Sequence, residues 1–345
     1  MNVTWPDVLT ALVQRRDLDA ATTRWAMDTI LAGEATSAQI AGFAVALRSK
    51  GETQAELQGL VDAMLGRAHR LTLDERAVDL VGTGGDRAKT VNISSMAAVV
   101  AAGAGVGVVK HGNRAASSAS GTADVFERLD IALDVPADRV LEVYRRAGIT
   151  FCFAPLFHGS MRHAGPTRGE LAIPTFFNFL GPLTNPAQPP ASAIGCFDPA
   201  MAPLMAGVLA DRGADAFVFR GDDGLDELTT TTTSRVWIVA DGEVEETVLD
   251  PAELGIAVAA PDALRGGDPA FNADVFTRVI EGEAGAVRDA VLLNAAAGIA
   301  AFDAAPGDLL TRLEAGLRRA AESIDTGGAA DALQRWSAAS QELRA

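Results

Sequence analysis

Apolar positions in the first seventy residues recur at helical spacing, as at Val8, Leu9, Leu12 and Val13, so this segment reads as helices joined by short turns. Thr4 stands where an N-cap belongs, and Pro6 falls in the first turn. Thr36 to Gln39 and Thr53 to Glu56 each have the form of a capping box, and Gly51, after Arg48-Ser49-Lys50, marks a helix stop. Beyond Leu71 the pattern changes. Residues 77–81 form a short apolar run that ends in Gly82 and reads as a buried strand. Residues 96–104 read as a wholly buried helix, 106–109 as a second strand, 141–147 as a helix before a strand at 149–153, and 201–211 as a helix before a strand at 216–219. Strand and helix alternate at βαβ spacing, so the expected class is α/β: a mostly parallel sheet flanked by helices, with a smaller all-helical N-terminal domain. Asp241-Gly242 between strand-like flanks signals a hairpin, and the chain is mostly helical from about Asn272 onward. The alanine-rich run 294–301 should pack closely against a neighbour. Residues 171–197, interrupted by five prolines and two asparagines, read as a buried, loop-rich segment.

The composition, 48% hydrophobic and 21% charged over 345 residues, is globular, with length for two domains or one large α/β unit. Twenty-nine basic against forty-five acidic side chains give a net charge of −16. That balance argues against a sequence-tolerant nucleic-acid binder, which needs a basic footprint, but leaves room for an anionic small substrate in a local basic pocket. Cys152 and Cys196 cannot build a disulfide framework; both sit in apolar runs, read as packed thiols, and fit a reducing cytoplasm. The first residues lack the pattern of a signal peptide, and the longest apolar stretch, 96–109, is shorter than the ~20 residues a membrane helix needs. A soluble cytoplasmic protein with no membrane or nucleic-acid partner is the expectation.

Four segments carry candidate chemistry. Gly82-Thr83-Gly84-Gly85-Asp86 follows the first strand, where three glycines let the backbone turn tightly and present N–H groups to an anion. Thr90 and Asn92-Ile93-Ser94-Ser95 follow at the start of the buried helix, whose N-terminus attracts phosphate. The spacing matches neither dinucleotide nor Walker fingerprints, and an ordinary strand-to-helix turn is the alternative. Lys110-His111-Gly112-Asn113-Arg114-Ala115-Ala116-Ser117-Ser118 follows the second strand and concentrates phosphate donors, continuing into Gly121-Thr122; a solvated basic loop is the alternative. Gly221-Asp222-Asp223-Gly224-Leu225-Asp226-Glu227 offers adjacent carboxylates that suit Mg2+ beside a phosphorylated substrate, or else forms a plain acidic turn. The apolar and aromatic segments 153–158 and 178–186 surround an isolated Arg168. This suits a flat aromatic acid paired bidentately by the guanidinium, against a surface salt bridge with Glu170. The four histidines lack zinc-site spacing.

Together these motifs, in this order and over nearly the whole chain, resemble the anthranilate phosphoribosyltransferase family. The resemblance implies transfer of the phosphoribosyl group of 5-phosphoribosyl 1-diphosphate (PRPP) to anthranilate, with release of diphosphate, in tryptophan synthesis. It implies that PRPP is held by Gly82, Thr83, Gly84, Gly85, Asp86, Thr90, Asn92, Ile93, Ser94, Ser95, Lys110, His111, Gly112, Asn113, Arg114, Ala115, Ala116, Ser117, Ser118 and Thr122. Lys110, Asn113 and Arg114 are the implied catalytic residues. Gly82, Asn113 and Arg168 are implied to meet anthranilate, and Ser94, Asp226 and Glu227 to organise Mg2+. The implied organisation is a small helical domain, 1–70 plus about 167–184, on a large α/β domain, 75–165 and 185–345. The family's homodimer forms through the helices, and residues 159–166 are a candidate hinge. Arg87-Ala88-Lys89, Gly159 and Thr122 depart from the usual family residues without removing a needed group. The two rivals are a pyrimidine nucleoside phosphorylase-like enzyme and a non-catalytic nucleic-acid-binding paralogue. The first lacks the Asp-Glu pair after Gly224-Leu225; the second is expected to be basic.

Overall fold

The structure, a computed structural model, describes residues 3–114, 120–260 and 262–344. Four helices come first: α1 (Trp5–Val13), α2 (Ala20–Ala32), α3 (Ser37–Lys50) and α4 (Gln54–Gly66). Both expected capping boxes close, with Gln39 and Glu56 returning a bond to the backbone of Thr36 and Thr53. Glu56 does more than cap. Fully buried, it also accepts the Leu18 N–H at 2.9 Å and pairs with Lys50 at 2.9 Å, so one carboxylate ties the starts of α2 and α4 to the end of α3.

The rest is a seven-stranded sheet with helices on both faces. Its strands are β1 (Val78–Gly82), β2 (Val108–Gly112), β3 (Ile149–Phe153), β4 (Ala191–Gly195), β5 (Asp215–Gly221), β6 (Ser234–Ala240) and β7 (Glu243–Leu249), in the order β3-β2-β1-β4-β5-β6-β7. The first five pair in parallel, and β6 and β7 add an antiparallel hairpin. Asp241 and Gly242 turn that hairpin with positive φ at both positions, the left-handed backbone that a two-residue turn requires. Between the strands run α5 (Ile93–Gly103), α6 (Thr122–Arg128), α7 (Val140–Ala147), α8 (Ala154–Phe157), α9 (Gly165–Leu171), α10 (Phe177–Leu183) and α11 (Met201–Asp211). Four more follow: α12 (Pro269–Ile280), α13 (Ala286–Asp303), α14 (Leu309–Asp325) and α15 (Gly328–Leu343).

Two apolar clusters fill the molecule. The first packs α5, α13, α14 and α15 against one face of the sheet, and its alanine-rich α13 lies directly on β4. The second joins the four N-terminal helices, α10 and α11 to the opposite face, through residues such as Phe43, Phe176, Met205 and Val218. Among the described residues, no helix is long and apolar enough to cross a membrane.

Two expectations fail instructively. Residues 171–197 hold a helix and the central strand β4, not loops alone. Ala191-Ser192-Ala193-Ile194-Gly195 carries few branched side chains because helices press closely on a strand buried at every position, so the usual strand signature is missing. The second strand runs past Val109 to Gly112, so Lys110 and His111 belong to the sheet and not to the loop beyond it.

Candidate active site

A cavity of about 780 Å3 opens where β1 and β2 end. The glycine turn after β1 supplies Gly82, Thr83, Gly84, Gly85 and Asp86; the start of α5 supplies Asn92, Ile93 and Ser94; β2 and its exit supply His111, Gly112, Asn113 and Arg114. Thr90, Thr122, Arg168, Asp226 and Glu227 line the same space. Turns distant in sequence therefore converge at one rim of the sheet, where parallel strands leave their loops.

Asp226 and Glu227 form the acidic wall. The Asp226 carboxylate accepts the Gly84 N–H at 2.6 Å, and the Glu227 carboxylate accepts the Ser94 N–H at 3.2 Å. This close seating depends on bare backbone. A β-carbon at position 82 would stand 2.4 Å from Asp226 Oδ2, and one at position 195 would stand 1.6 Å from the Asp226 carbonyl oxygen. Burial, with the nearby Asp86 charge, pushes the Asp226 carboxyl well up; burial pushes Glu227 up to about 8, against the pull of Lys110. Asp222 and Asp223 serve the loop instead: Asp223 accepts bonds from Thr229 at 2.7 Å and Thr231 at 2.5 Å, and Asp222 from Thr233 at 2.5 Å. The threonine run thus braces the acidic turn.

Among the described residues, no three His, Cys, Asp or Glu side chains close around a common metal position. Mg2+ does not ask for that. It takes one or two carboxylates, keeps waters and completes its shell with substrate phosphate. Two crowded, buried carboxylates, one of them bonded to the Ser94 N–H, fit such an ion, because their repulsion and desolvation are what a divalent charge relieves.

Lys110 does not line the cavity. Its ammonium is buried below it, bonded to the Leu80 carbonyl and 3.5 Å from Ser94 Oγ, and burial depresses its basicity against the pull of Asp79 and Glu227. Burial pushes Asp79 up to about 6. Ser95 is buried too, donating to Thr122 Oγ1 at 3.3 Å. The Thr83 hydroxyl accepts the Phe197 N–H at 3.2 Å, locking the ends of β1 and β4 together. Arg114 lines the rim, but its guanidinium is held by Glu127 at 2.6 Å and Asp124 at 2.9 Å. Ala115, Ala116, Ser117 and Ser118 lie outside the described residues.

The far wall is apolar. Arg168 projects from α9 over the Phe177 ring at 5.0 Å, with no carboxylate paired to it among the described residues. The surface pair with Glu170 is not formed. Pro155, Met161, Gly181 and Pro182 extend this wall, and Met64 reaches it from α4. His111 donates from Nδ1 to the Gly181 carbonyl and His158 from Nε2 to the Thr184 carbonyl, each at 2.9 Å; those partners fix the tautomers. Burial depresses both imidazoles, to about 3 and about 4, so both are neutral near pH 7. Sequence reading missed Arg162, a second guanidinium at the cavity, which nothing distinguishes from a surface arginine along the chain. It missed Asp79 as well, hidden inside an apolar strand. Cys152 and Cys196 are buried, as expected of packed thiols.

A glycine-rich anion loop, an acidic pair and an apolar arginine pocket, all on a helical bundle joined to an α/β sheet, define a sugar-phosphate transferase class. Family models agree: residues 6–68 match the glycosyl transferase family helical bundle domain, and residues 74–330 match its a/b domain. An anthranilate phosphoribosyltransferase from a Nocardioides species is 62% identical over 97% of this chain and 98% of its own. The crystal structure of anthranilate phosphoribosyltransferase from Thermus thermophilus superposes with a TM-score of 0.90 at 39% identity, covering 97% of this chain and 99% of that one. The Saccharomyces cerevisiae enzyme in complex with PRPP and Mg superposes with a TM-score of 0.89 at 25% identity, over 99% of both chains. The chain belongs to the anthranilate phosphoribosyltransferase family.

Proposed function

We propose that the two walls of the cavity divide the two substrates of the family reaction between them. The chain transfers the 5-phosphoribosyl group of PRPP to the amine of anthranilate, giving N-(5-phosphoribosyl)anthranilate and diphosphate. The glycine turn 82–86, with Thr90, Asn92 and Ser94, receives the diphosphate end; Asn113, Gly82 and Arg168 receive anthranilate. One observation carries this reading: the glycine turn and the half-buried Arg168, which has no carboxylate partner among the described residues, line a single cavity.

As the C–O bond to diphosphate breaks, the leaving oxygens gain charge and the ribose carbon becomes oxocarbenium-like. The Thr83 and Gly84 N–H groups are held by the Gly195 carbonyl and the Asp226 carboxylate, so the turn's donors to the leaving group are the backbone N–H groups of Gly85 and Asp86, and preorganised donors of this kind are usually the largest catalytic contribution. Asp226, Glu227 and Ser94 would hold Mg2+, which when bound neutralises phosphate charge. Arg168 pairs the carboxylate of anthranilate, and Asn113 holds the amine in line. The aromatic amine is neutral at pH 7, so orientation replaces a strong base. Lys110 acts from beneath, its charge set against Glu227 and Ser94.

The reading extends to a Mg2+-dependent, cytoplasmic homodimer joined through the N-terminal helices, with residues 1–70 and about 167–184 moving as a small domain about 159–166. The family membership supports it. The deciding experiment follows anthranilate fluorescence with PRPP present, with and without Mg2+. Consumption that needs both supports the reading, and consumption on inorganic phosphate with a nucleoside would replace it with a phosphorylase. Light scattering on the eluted protein tests the dimer, and a monomeric mass would remove it.

A further inference from the structure

The central sheet has a seam between its two substrate-bearing strands. β1 shares five register pairs with β4, and β2 shares five with β3, yet β1 and β2 pair only at Val78↔Val108. In a parallel ladder the next rung would join the Leu80 carbonyl to the His111 N–H and would use the Val109 carbonyl. All three groups are bonded to side chains instead. The His111 N–H donates to Asp79 Oδ1 at 3.1 Å, the Val109 carbonyl accepts from Asn185 Nδ2 at 2.7 Å, and the Leu80 carbonyl accepts from Lys110. Asn185 Nδ2 also donates to Asp79 Oδ2 at 2.8 Å, closing the bridge.

The bridge joins three parts of the site. β1 ends in the glycine turn, β2 leads into Asn113, and Asn185 follows α10, whose Phe177, Asn178 and Gly181 form the far wall. We infer that Asp79 and Asn185 are positioning residues which, by replacing a backbone rung, set the spacing between the PRPP-side turn and the anthranilate-side residues. Neither lines the cavity, so neither binds substrate. Their effect falls on how the two bound substrates are aligned, which enters kcat more than either KM. The inference rests on the reaction assigned above.

The test compares Asp79→Asn and Asn185→Ser. Asp79→Asn keeps the acceptor for His111 but sets amide against amide. Asn185→Ser withdraws the bridge while leaving charges unchanged. Each variant should lower kcat about tenfold or more while both KM values move less than about threefold. Activity is expressed per folded molecule from circular dichroism; a kcat equal to wild type on that basis makes the seam structural only and overturns the inference. A rise in one KM with kcat kept assigns the residue to one subsite and also overturns it. If Asp79→Asn does not fold, Asn185→Ser decides by the same readouts. Wild-type protein that consumes no anthranilate would fail the reaction, whereas active wild type with indifferent variants fails the seam.

Discussion

The Asp226 carbonyl oxygen lies 1.6 Å from where a β-carbon at Gly195 would stand, so the acidic turn after β5 rests directly on the end of β4. Gly195→Ala must lift that turn and move the Asp226 and Glu227 carboxylates. Overpacking of this kind costs about 1–3 kcal/mol. The expected outcome is a lower melting temperature together with a weaker response to Mg2+ in the assay. Unchanged Mg2+ titration in a destabilised variant would separate the turn from the metal.

Arg168 stacks on Phe177 with no acidic partner among the described residues, and burial depresses its basicity. It is therefore available to a substrate carboxylate. A charged hydrogen-bonded pair is worth about 1.5–3 kcal/mol, so Arg168→Ala should raise the KM for anthranilate by roughly ten- to a hundredfold with the KM for PRPP little changed. Arg168→Lys should recover little, since a point charge cannot make the bidentate pair. Steady-state kinetics with each substrate varied checks both.

Glu227 and Asp226 are crowded and desolvated, with Lys110 the cation set against Glu227. Glu227→Gln should stabilise the metal-free protein near pH 7, because a carboxyl raised from 4.5 to about 8 must take up a proton on folding there and the neutral amide need not. The same variant should lose the stimulation by Mg2+. Thermal melts and Mg2+ titrations of one preparation test both signs.

His111 and His158 are depressed to about 3 and about 4 from an ordinary 6.5. At these two sites the unfolded chain binds more protons than the folded one below pH 6.5, so their contribution to stability falls as pH drops from there to about 4. Each histidine contributes a slope of about 1.4 kcal/mol per pH unit in that window. Asp79, raised from 3.8 to about 6, works against this: its contribution falls as pH rises from 3.8 to 6. Asp226 and Glu227, raised as well, act in the same direction as Asp79, so the histidine contribution is read as the difference between wild type and a histidine variant and not from the net slope. His158→Gln, which keeps a donor for the Thr184 carbonyl, should gain stability relative to wild type by about 1.4 kcal/mol per pH unit as pH falls from 6.5 to about 4, measured by urea titrations at a series of pH values.

The sequence alone determined what depends on local chemistry and periodicity. The capping boxes at Thr36 and Thr53, the hairpin at Asp241-Gly242, the βαβ alternation and the glycine turn after β1 are each written within a few residues, because backbone dihedrals and nearest-neighbour bonds decide them. The tertiary structure alone decided the rest. β4 carries no strand signature because helices press against its small residues, and Lys110, a loop donor by its neighbours in sequence, is drawn into the sheet by Asp79, Leu80 and Glu227. Which carboxylates of the acidic turn face the cavity, and which are spent on threonines, followed from where β1 and β4 end. The reason is one of range: burial and close approach between segments a hundred or more residues apart are fixed by packing, and no local pattern carries that distance.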